Sequence, residues 1–593
     1  MSDETSRTGV GLLDIAKQLP GFLSDAPVIL RGLITGFGAS PTAKTSIGKV
    51  FQERAVANKD KVFIKFEDQR ITYGQANATV NRYASVLAAK GVGPGSVVGI
   101  MLRNSPDAVL LMLATVKCGA VAGMINYNQR GNVLAHSLGL LGAKVLVTES
   151  DFHEPVIECG AAAELTTGLM SVEELRELAV GQSTANPVGT SQILAKEKAF
   201  YIFTSGTTGM PKASVMTHYR WLRALGGFGG LGLRLNSSDT LYCCLPLYHN
   251  NALTVATSSA LNAGAALALG KSFSASRFWD EVIKYDATAF IYIGEICGYL
   301  LNQPPKPTDR AHKVRVIAGN GLRPAIWDEF TSRFGIKRVC EFYAASEGNT
   351  GFVNVFNIDK TTGICPSPVV YVEYDLETGE PARGPDGRLR KVKRGEPGLL
   401  LSKVNNLQPF DGYTDKAASE KKLVRNAFKD GDVWFNTGDL MRSQGFAHAA
   451  FADRLGDTFR WKGENVATTE VEAALGADDQ VEECTVYGVE VPGCGGRAGM
   501  ASVQLREGAE FDGARLAKAG FEHLPAYAVP LFIRIVPELA HTSTFKNQKV
   551  DLRKQGYGDE VSDPIYVLSG RDEGYVPFYP EYPVEVKDGK KPR

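Results

Sequence analysis

From about residue 62 onward, short apolar runs of β-forming residues alternate with longer helical runs, and this alternation narrows the fold to layered α/β. Ser96–Leu102 reads as a strand, Ser105–Cys118 as a helix and Lys144–Thr148 as a strand. The pattern resumes with Phe278–Tyr285 helical, Thr288–Ile293 and Val314–Ala318 extended, Pro324–Phe334 helical and Val339–Phe342 extended. Strands joined through helices pair in parallel and are covered on both faces, so they carry few polar positions. A chain of 593 residues is too long for one hydrophobic core. We therefore expect an N-terminal amphipathic segment at 1–45, a large domain of layered α/β subdomains at 46–452, and a small α+β domain at 453–593 that ends in a polar tail. The small domain would contain a helix at Glu470–Leu475, strands at Glu483–Val489 and Leu531–Val536, and a polar loop at His541–Lys549. The polar, Gly/Pro-rich stretch Asp375–Gly398 suits surface hairpins.

Composition removes several function classes. Lys and Arg total 65, equal to Asp and Glu, so the chain lacks the basic footprint of a nucleic-acid binder. Of nine cysteines only Cys243 and Cys244 are close, without C-x-x-C spacing, which predicts a reducing, cytoplasmic compartment and no structural metal. Asp3, Glu4 and Arg7 leave no secretory leader at the start. Thr240–Gly270 is uncharged but holds Asn250, Asn251, Ser258, Ser259 and Asn262, so an interior helix is expected there and not a membrane span. Val10, Leu12, Leu13, Ile15, Leu19, Ile29, Leu30, Leu33 and Ile34, interrupted by Pro20 and Pro27, predict two short amphipathic helices. These either lie peripherally on the cytoplasmic face of a membrane or pack on the body of the protein. Whether the chain forms a homodimer is left open.

The segment Thr204-Ser205-Gly206-Thr207-Thr208-Gly209-Met210-Pro211-Lys212 is built from hydroxyls, glycines and a terminal lysine, groups that suit phosphate oxygens. It follows the apolar run Ala199–Phe203, at a strand end, where α/β folds place ligands. Lys212 lies three residues after Gly209 and precedes Ala213, so the spacing is not that of a Walker A loop. A plain hairpin is the competing reading. Gly227-Phe228-Gly229-Gly230-Leu231-Gly232 matches G-x-G-x-x-G but follows the helical stretch His218–Leu225, so the dinucleotide context fails and glycine-lined bends are expected.

Further along stand Tyr343-Ala344-Ala345-Ser346-Glu347-Gly348, Thr437-Gly438-Asp439-Leu440, Asp453-Arg454-Leu455-Gly456-Asp457, Arg460-Trp461-Lys462-Gly463-Glu464-Asn465 and Thr542-Ser543-Thr544-Phe545-Lys546. With the glycine loop, and in this order, they make the chain resemble the adenylate-forming superfamily of acyl-CoA synthetases, luciferases and peptide-synthetase adenylation domains from about Ile71 to Lys549. Tyr292-Ile293-Gly294-Glu295-Ile296-Cys297-Gly298-Tyr299-Leu300-Leu301 and Asp457–Val466 resemble the branch of very-long-chain acyl-CoA synthetases and fatty acid transport proteins.

The resemblance implies an ATP-, Mg²⁺- and coenzyme A-dependent fatty acid ligase working through an acyl-adenylate. Its alternatives are an acyl-AMP ligase that loads a carrier protein, or an uptake protein that traps fatty acid as its thioester. It implies that Ser205, Gly206, Thr207, Thr208 and Gly209 hold the triphosphate with Lys212 nearby, and that Thr204 and Glu347 bind Mg²⁺. Gly319, Asn320, Gly321 and the Tyr343-Ala344-Ala345-Ser346 stretch would take the adenine, and Asp439 and Arg454 the ribose. Lys546 would serve adenylation, with Lys549 the alternative, since Phe545 stands where many members have glycine and Lys549 lies one turn further on; separately, Ala344 replaces the usual glycine before Ser346-Glu347. Arg460, Lys462, Gly463 and Glu464 would serve the coenzyme A half-reaction after the mobile small domain swings about Leu455–Asp457. Tyr248, His249, Ile291, Tyr292, Gly294, Ile296, Gly298, Tyr299 and Leu300 either wall an acyl tunnel or form core, and both hold if the tunnel is a gap in a core face.

Overall fold

The computed structural model describes residues 9–165, 168–204, 210–375, 378–462, 464–539, 549–558 and 561–592. The chain divides into two compact units, one of Met1–Val369, Ser402–Phe435 and Gly445–Ala449, the other of Val370–Leu401, Asn436–Gln444 and Ala450–Arg593.

The first unit holds two sheets. One runs in the order Leu169–Ser171, Val145–Thr148, Val97–Met101, Val121–Met124, Lys198–Thr204 and Lys212–Thr217, parallel except for the last strand. The other places Val339–Ala344, Val316–Asn320, Ala289–Ile293, Thr240–Cys243, Ala266–Leu269 and Val62–Phe66 in parallel, with Gln69–Thr72 antiparallel beside the last. Every residue of Val145–Thr148 and of Ala289–Ile293 is buried, as two-sided helix cover requires. Helix Pro106–Lys117 starts where Ser105 Oγ accepts the Ala108 N–H at 3.3 Å, with proline in the first turn, where its missing N–H is harmless. The helix is buried along nearly its whole length, including Lys117, whose Nζ donates to Asn77, Asn81 and Asn186 side-chain oxygens at 3.0, 2.6 and 2.7 Å.

Two expectations change. The uncharged stretch from Thr240 is not one interior helix, because it is split by two buried parallel strands, Thr240–Cys243 and Ala266–Leu269, around a helical run from Asn251 to Ala263. The glycine run near 230 does not form bends. Leu225–Leu233 continues the preceding helix in a π-helical form and packs against the helix Ala26–Phe37. A Cβ on Gly32 would lie 2.4 Å from Gly230 Cα, and one on Gly36 would lie 2.4 Å from Gly226 Cα. Four glycines thus let two backbones touch where any side chain would push them apart. Asp25, just before that helix, accepts from Arg234 at 3.1 Å, and the Arg234 guanidinium covers the Phe22 ring at 4.8 Å. The two N-terminal helices therefore pack on the body, yet they leave Leu12, Leu13, Leu23, Leu30 and Ile34 exposed. No helix among the described residues is long and apolar enough to cross a membrane.

The second unit is built on the sheet Val481–Glu490, Arg497–Leu505, Phe532–Ile535, Ile565–Gly570 and Gly574–Pro577, with helices Thr468–Gly476 and Gly513–His523. Val471, Leu475, Val486, Tyr487, Phe532 and Val567 belong to its core. Bridges at Val372↔Lys391 and Arg383↔Leu389 give the surface hairpins expected from the Gly/Pro-rich stretch. Lys549, expected in a polar loop, instead opens a helix, Lys549–Gln555.

Candidate adenylation site

In the first unit, the strands Lys198–Thr204 and Lys212–Thr217 pair antiparallel, with Thr204 opposite Lys212. The glycine loop thus joins two adjacent strands at the sheet edge, and Ser205, Gly206, Thr207, Thr208 and Gly209 themselves lie outside the described residues. The edge strand is extended by the segment around Tyr413: Val215 N–H donates to Gly412 O and Thr414 N–H to Ala213 O, both at 2.9 Å. This pairing brings the buried Tyr413 ring to 5.7 Å from Lys212 Nζ and its phenol within the influence of the Glu347 charge and of Thr204. Burial, and then the Glu347 charge, push the Tyr413 phenol above its ordinary range, so it stays protonated. Thr204, Lys212 and Glu347 are therefore gathered around one tyrosine.

Glu347 lies in the turn between Val339–Ala344 and Gly351–Val353, whose ladder pairs Tyr343 with Phe352 and Ala344 with Gly351. The turn is clamped from outside: Arg220 donates to Ser346 O at 2.9 Å, to Gly348 O, and to Val215 O at 2.6 Å on the edge strand. Asn349 Nδ2 donates to Lys403 O and Gln408 O at 3.1 and 3.0 Å. Tyr343 is buried with its ring 6.0 Å from Phe352, Ala344 is exposed, and Ala345 and Ser346 are half-buried.

Gly319, Asn320 and Gly321 end the neighbouring strand, with Tyr292 opposite Gly319 and Ile293 opposite Asn320. A Cβ on Gly319 would lie 2.3 Å from Tyr292 O, and one on Gly294 would lie 1.8 Å from Gly321 O, so these positions admit only glycine. Asn251 Nδ2 donates to Asn320 Oδ1 at 2.8 Å. Of the acyl-pocket candidates, Tyr248, Ile291, Tyr292, Gly294, Ile296 and Leu300 are buried, while His249, Gly298 and Tyr299 are half-buried. Tyr248 packs against His249 at 4.5 Å and edge-on to Tyr127 at 5.3 Å.

The remaining candidates fall in the second unit. Asp439 lies within the strand Val433–Gly445, next to Gly438, where φ is +78°, and not on a turn, and it is 4.0 Å from the exposed Arg454. Arg454 is preceded by the buried Asp453, whose Oδ2 accepts the Thr468 N–H at 2.7 Å and the Thr458 hydroxyl at 2.9 Å. Burial pushes the Asp453 carboxyl up to about 6, against the pull of the Lys549 charge. Arg460, Lys462 and Glu464 are exposed on a hairpin of Phe459–Trp461 with Glu464–Val466, and Gly463 lies outside the described residues. Lys546 also lies outside them. Lys549 is held: its Nζ is 2.8 Å from Glu472 Oε1 and 2.9 Å from Thr468 Oγ1.

Tyr413, Arg220 and the buried Glu341 carried no local signal in the sequence. Apart from the Arg220 bond to Val215 O, their contacts here lie tens to hundreds of residues away along the chain.

The AMP-binding enzyme family matches residues 51–413, and the AMP-binding enzyme C-terminal domain matches residues 470–546. The chain is an AMP-binding enzyme. It is 68% identical over 589 residues to a medium/long-chain fatty-acid–CoA ligase of Mycobacterium tuberculosis, covering 99% of both chains. It is 40% identical over 554 residues to long-chain fatty acid transport protein 2 of Rattus norvegicus, covering 89% of this chain and 88% of the other. Among solved structures, an anthranilate CoA ligase superposes with a TM-score of 0.74 at 20% identity, covering 86% of this AMP-binding enzyme and 96% of that chain. ATP-bound MatB from Rhodopseudomonas palustris gives 0.73 at 23%, covering 86% and 99%. Both share its fold, a large α/β domain followed by a smaller one.

Proposed function

We propose that this AMP-binding enzyme is an ATP- and Mg²⁺-dependent ligase that joins long-chain fatty acids to coenzyme A through an acyl-adenylate. The observation that carries this is the 68% identity, end to end, with the mycobacterial fatty-acid–CoA ligase. In the first half-reaction a fatty carboxylate oxygen attacks the α-phosphorus of ATP and pyrophosphate leaves. In the second the coenzyme A thiolate attacks the acyl carbon and AMP leaves. No protein nucleophile is needed, so the residues work by positioning and charge neutralisation.

Lys212 and the loop before it hold the triphosphate, and Lys546 neutralises the reacting carboxylate and α-phosphate. Gly319–Gly321 and Tyr343 bracket the adenine, and Asp439 accepts from the ribose with Arg454 beside it. The hydroxyl and carboxylate oxygens of Thr204 and Glu347, gathered at Tyr413, form a hard-oxygen set suited to Mg²⁺, an ion that keeps waters and substrate phosphates as its other ligands. Bound there, the ion would offset charge on the leaving pyrophosphate. The small domain then turns about Leu455–Asp457 and presents Arg460, Lys462, Gly463 and Glu464 to coenzyme A.

The test is a chain-length series of fatty acids with ATP, Mg²⁺ and coenzyme A, with products identified by mass. Acyl-CoA and AMP are expected, and acyl-AMP without acyl-CoA would turn the assignment toward carrier-protein loading. Leu12, Leu13, Leu23, Leu30 and Ile34 further support a peripheral membrane foothold. Serine at these positions, with the docking glycines kept, should abolish flotation with anionic liposomes. Unchanged flotation would end that idea.

A further inference from the structure

Glu341 is 5% exposed and is held by two groups. Its Oε1 accepts the Gly321 N–H, and its Oε2 meets the hydroxyl of the fully buried Tyr292. Glu341 sits opposite Gly319 in the ladder and two residues before Tyr343, hence on the same face of its strand. Tyr292 sits opposite Gly319 on the other side and begins the segment that continues through Gly294, itself packed on Gly321. One buried carboxyl therefore ties the turn at Gly319–Gly321 to the strand that leads into the candidate acyl wall.

We propose that Glu341 is a positioning residue that fixes the adenine-side turn and the acyl-side strand as one rigid piece, so that the two substrates are aligned by the same side chain. This rests on the ligase function proposed above. Buried polar links of this kind are high-stakes, since an unmet donor or acceptor in a dry interior costs more than the link contributes when made. The groups facing the carboxyl are the Tyr292 phenol, the Cys297 and Cys340 thiols and backbone N–H groups, none of them a cation. Burial accordingly pushes Glu341 up to about 8, with the Tyr292 and Gly321 hydrogen bonds pulling it down. The neutral acid can donate to Tyr292 while Oε1 still accepts from Gly321, and a glutamine amide reproduces both links.

The experiment is pyrophosphate exchange and acyl-CoA formation for wild type, Glu341→Ala, Glu341→Gln and Tyr292→Phe, with KM and kcat for each substrate and thermal melting alongside. Glu341→Ala is expected to raise KM for ATP and for fatty acid together by about tenfold, the effect of losing one to two buried hydrogen bonds, with KM for coenzyme A unmoved. Glu341→Gln should restore both to near wild type, and Tyr292→Phe should raise both by a smaller factor. Loss of kcat at unchanged KM in Glu341→Ala, or a glutamine variant as impaired as alanine, would overturn the proposal. Should Glu341→Ala fail to fold, the two volume-conserving variants decide, and unchanged KM values in Tyr292→Phe would overturn it. A wild-type protein that exchanges pyrophosphate with no fatty acid overturns the ligase function itself. An active wild type with unaffected variants overturns only the role of Glu341.

Discussion

Replacing Lys549 with methionine separates the two lysines near the chain's end by what each is bonded to. Lys549 Nζ is 2.8 Å from Glu472 Oε1, with side-chain exposures of 15% and 7%, and Thr468 Oγ1 is a second acceptor at 2.9 Å. Burial alone would lower the ammonium pKa, but Glu472 and the Asp457 and Asp453 charges outweigh it and hold the group above its ordinary value. The charged pair is thus the resting state. Removing one partner leaves the buried Glu472 carboxylate with only the Val486 N–H, at 3.0 Å, among its described hydrogen bonds. Breaking such a pair costs about 3–5 kcal/mol. Residual exposure of Lys549 favours the lower figure, which for a unit of this size moves its melting by about 6–12 °C. Lys549→Met should therefore destabilise the second unit, measured by calorimetry, while pyrophosphate exchange below the melting range stays near wild type. Lys546→Ala should do the opposite, cutting exchange by more than about a hundredfold with melting unchanged. A Lys549→Met protein that melts normally but cannot adenylate would refute this reasoning and move the adenylation role to Lys549.

Lys117 gives a pH signature. Burial lowers its folded pKa to about 7 from 10.5, so between those values the unfolded chain binds more protons and stability rises with pH. That contribution is complete above pH 10.5 and lost as pH falls to about 7, so the stability of wild type relative to Lys117→Met in urea should grow from pH 7 to pH 9. Parallel pH dependence in the two proteins would refute it. Gly230→Ala places a Cβ 2.5 Å from Gly32 Cα and should loosen the N-terminal helices. Faster proteolysis ahead of residue 45 is the expected result, and an unchanged cleavage pattern would count against the docking. Tyr413→Phe removes the phenol that senses the Glu347 charge, and KM for Mg-ATP should rise. An unchanged KM would show that Tyr413 does not position Glu347.

The parallel layers were legible because their signals are local. Ser105-Pro106 marks a helix start by itself, and Ala289–Ile293 is apolar because both faces are covered. Gly227–Gly232 misled for the complementary reason, since glycines alone signal turns and their packing partners Gly32 and Gly36 lie some two hundred residues earlier. In the site, glycine and hydroxyl clusters announced the loop, whereas Tyr413 and Arg220 act through pairings that no spacing encodes. Lys117 closes an apolar helix, and its asparagine partners come from separate stretches of the chain.

The contact between Gly32–Gly36 and Gly226–Gly230 also limits how this protein can be altered. A β-carbon on either side meets backbone, which no rotamer change opposite can relieve, and all four positions are already at the smallest residue. Neither segment can therefore be drifted or grafted alone. A hybrid that takes its first 45 residues from a relative should work only when the matching stretch around 225–233 travels with them.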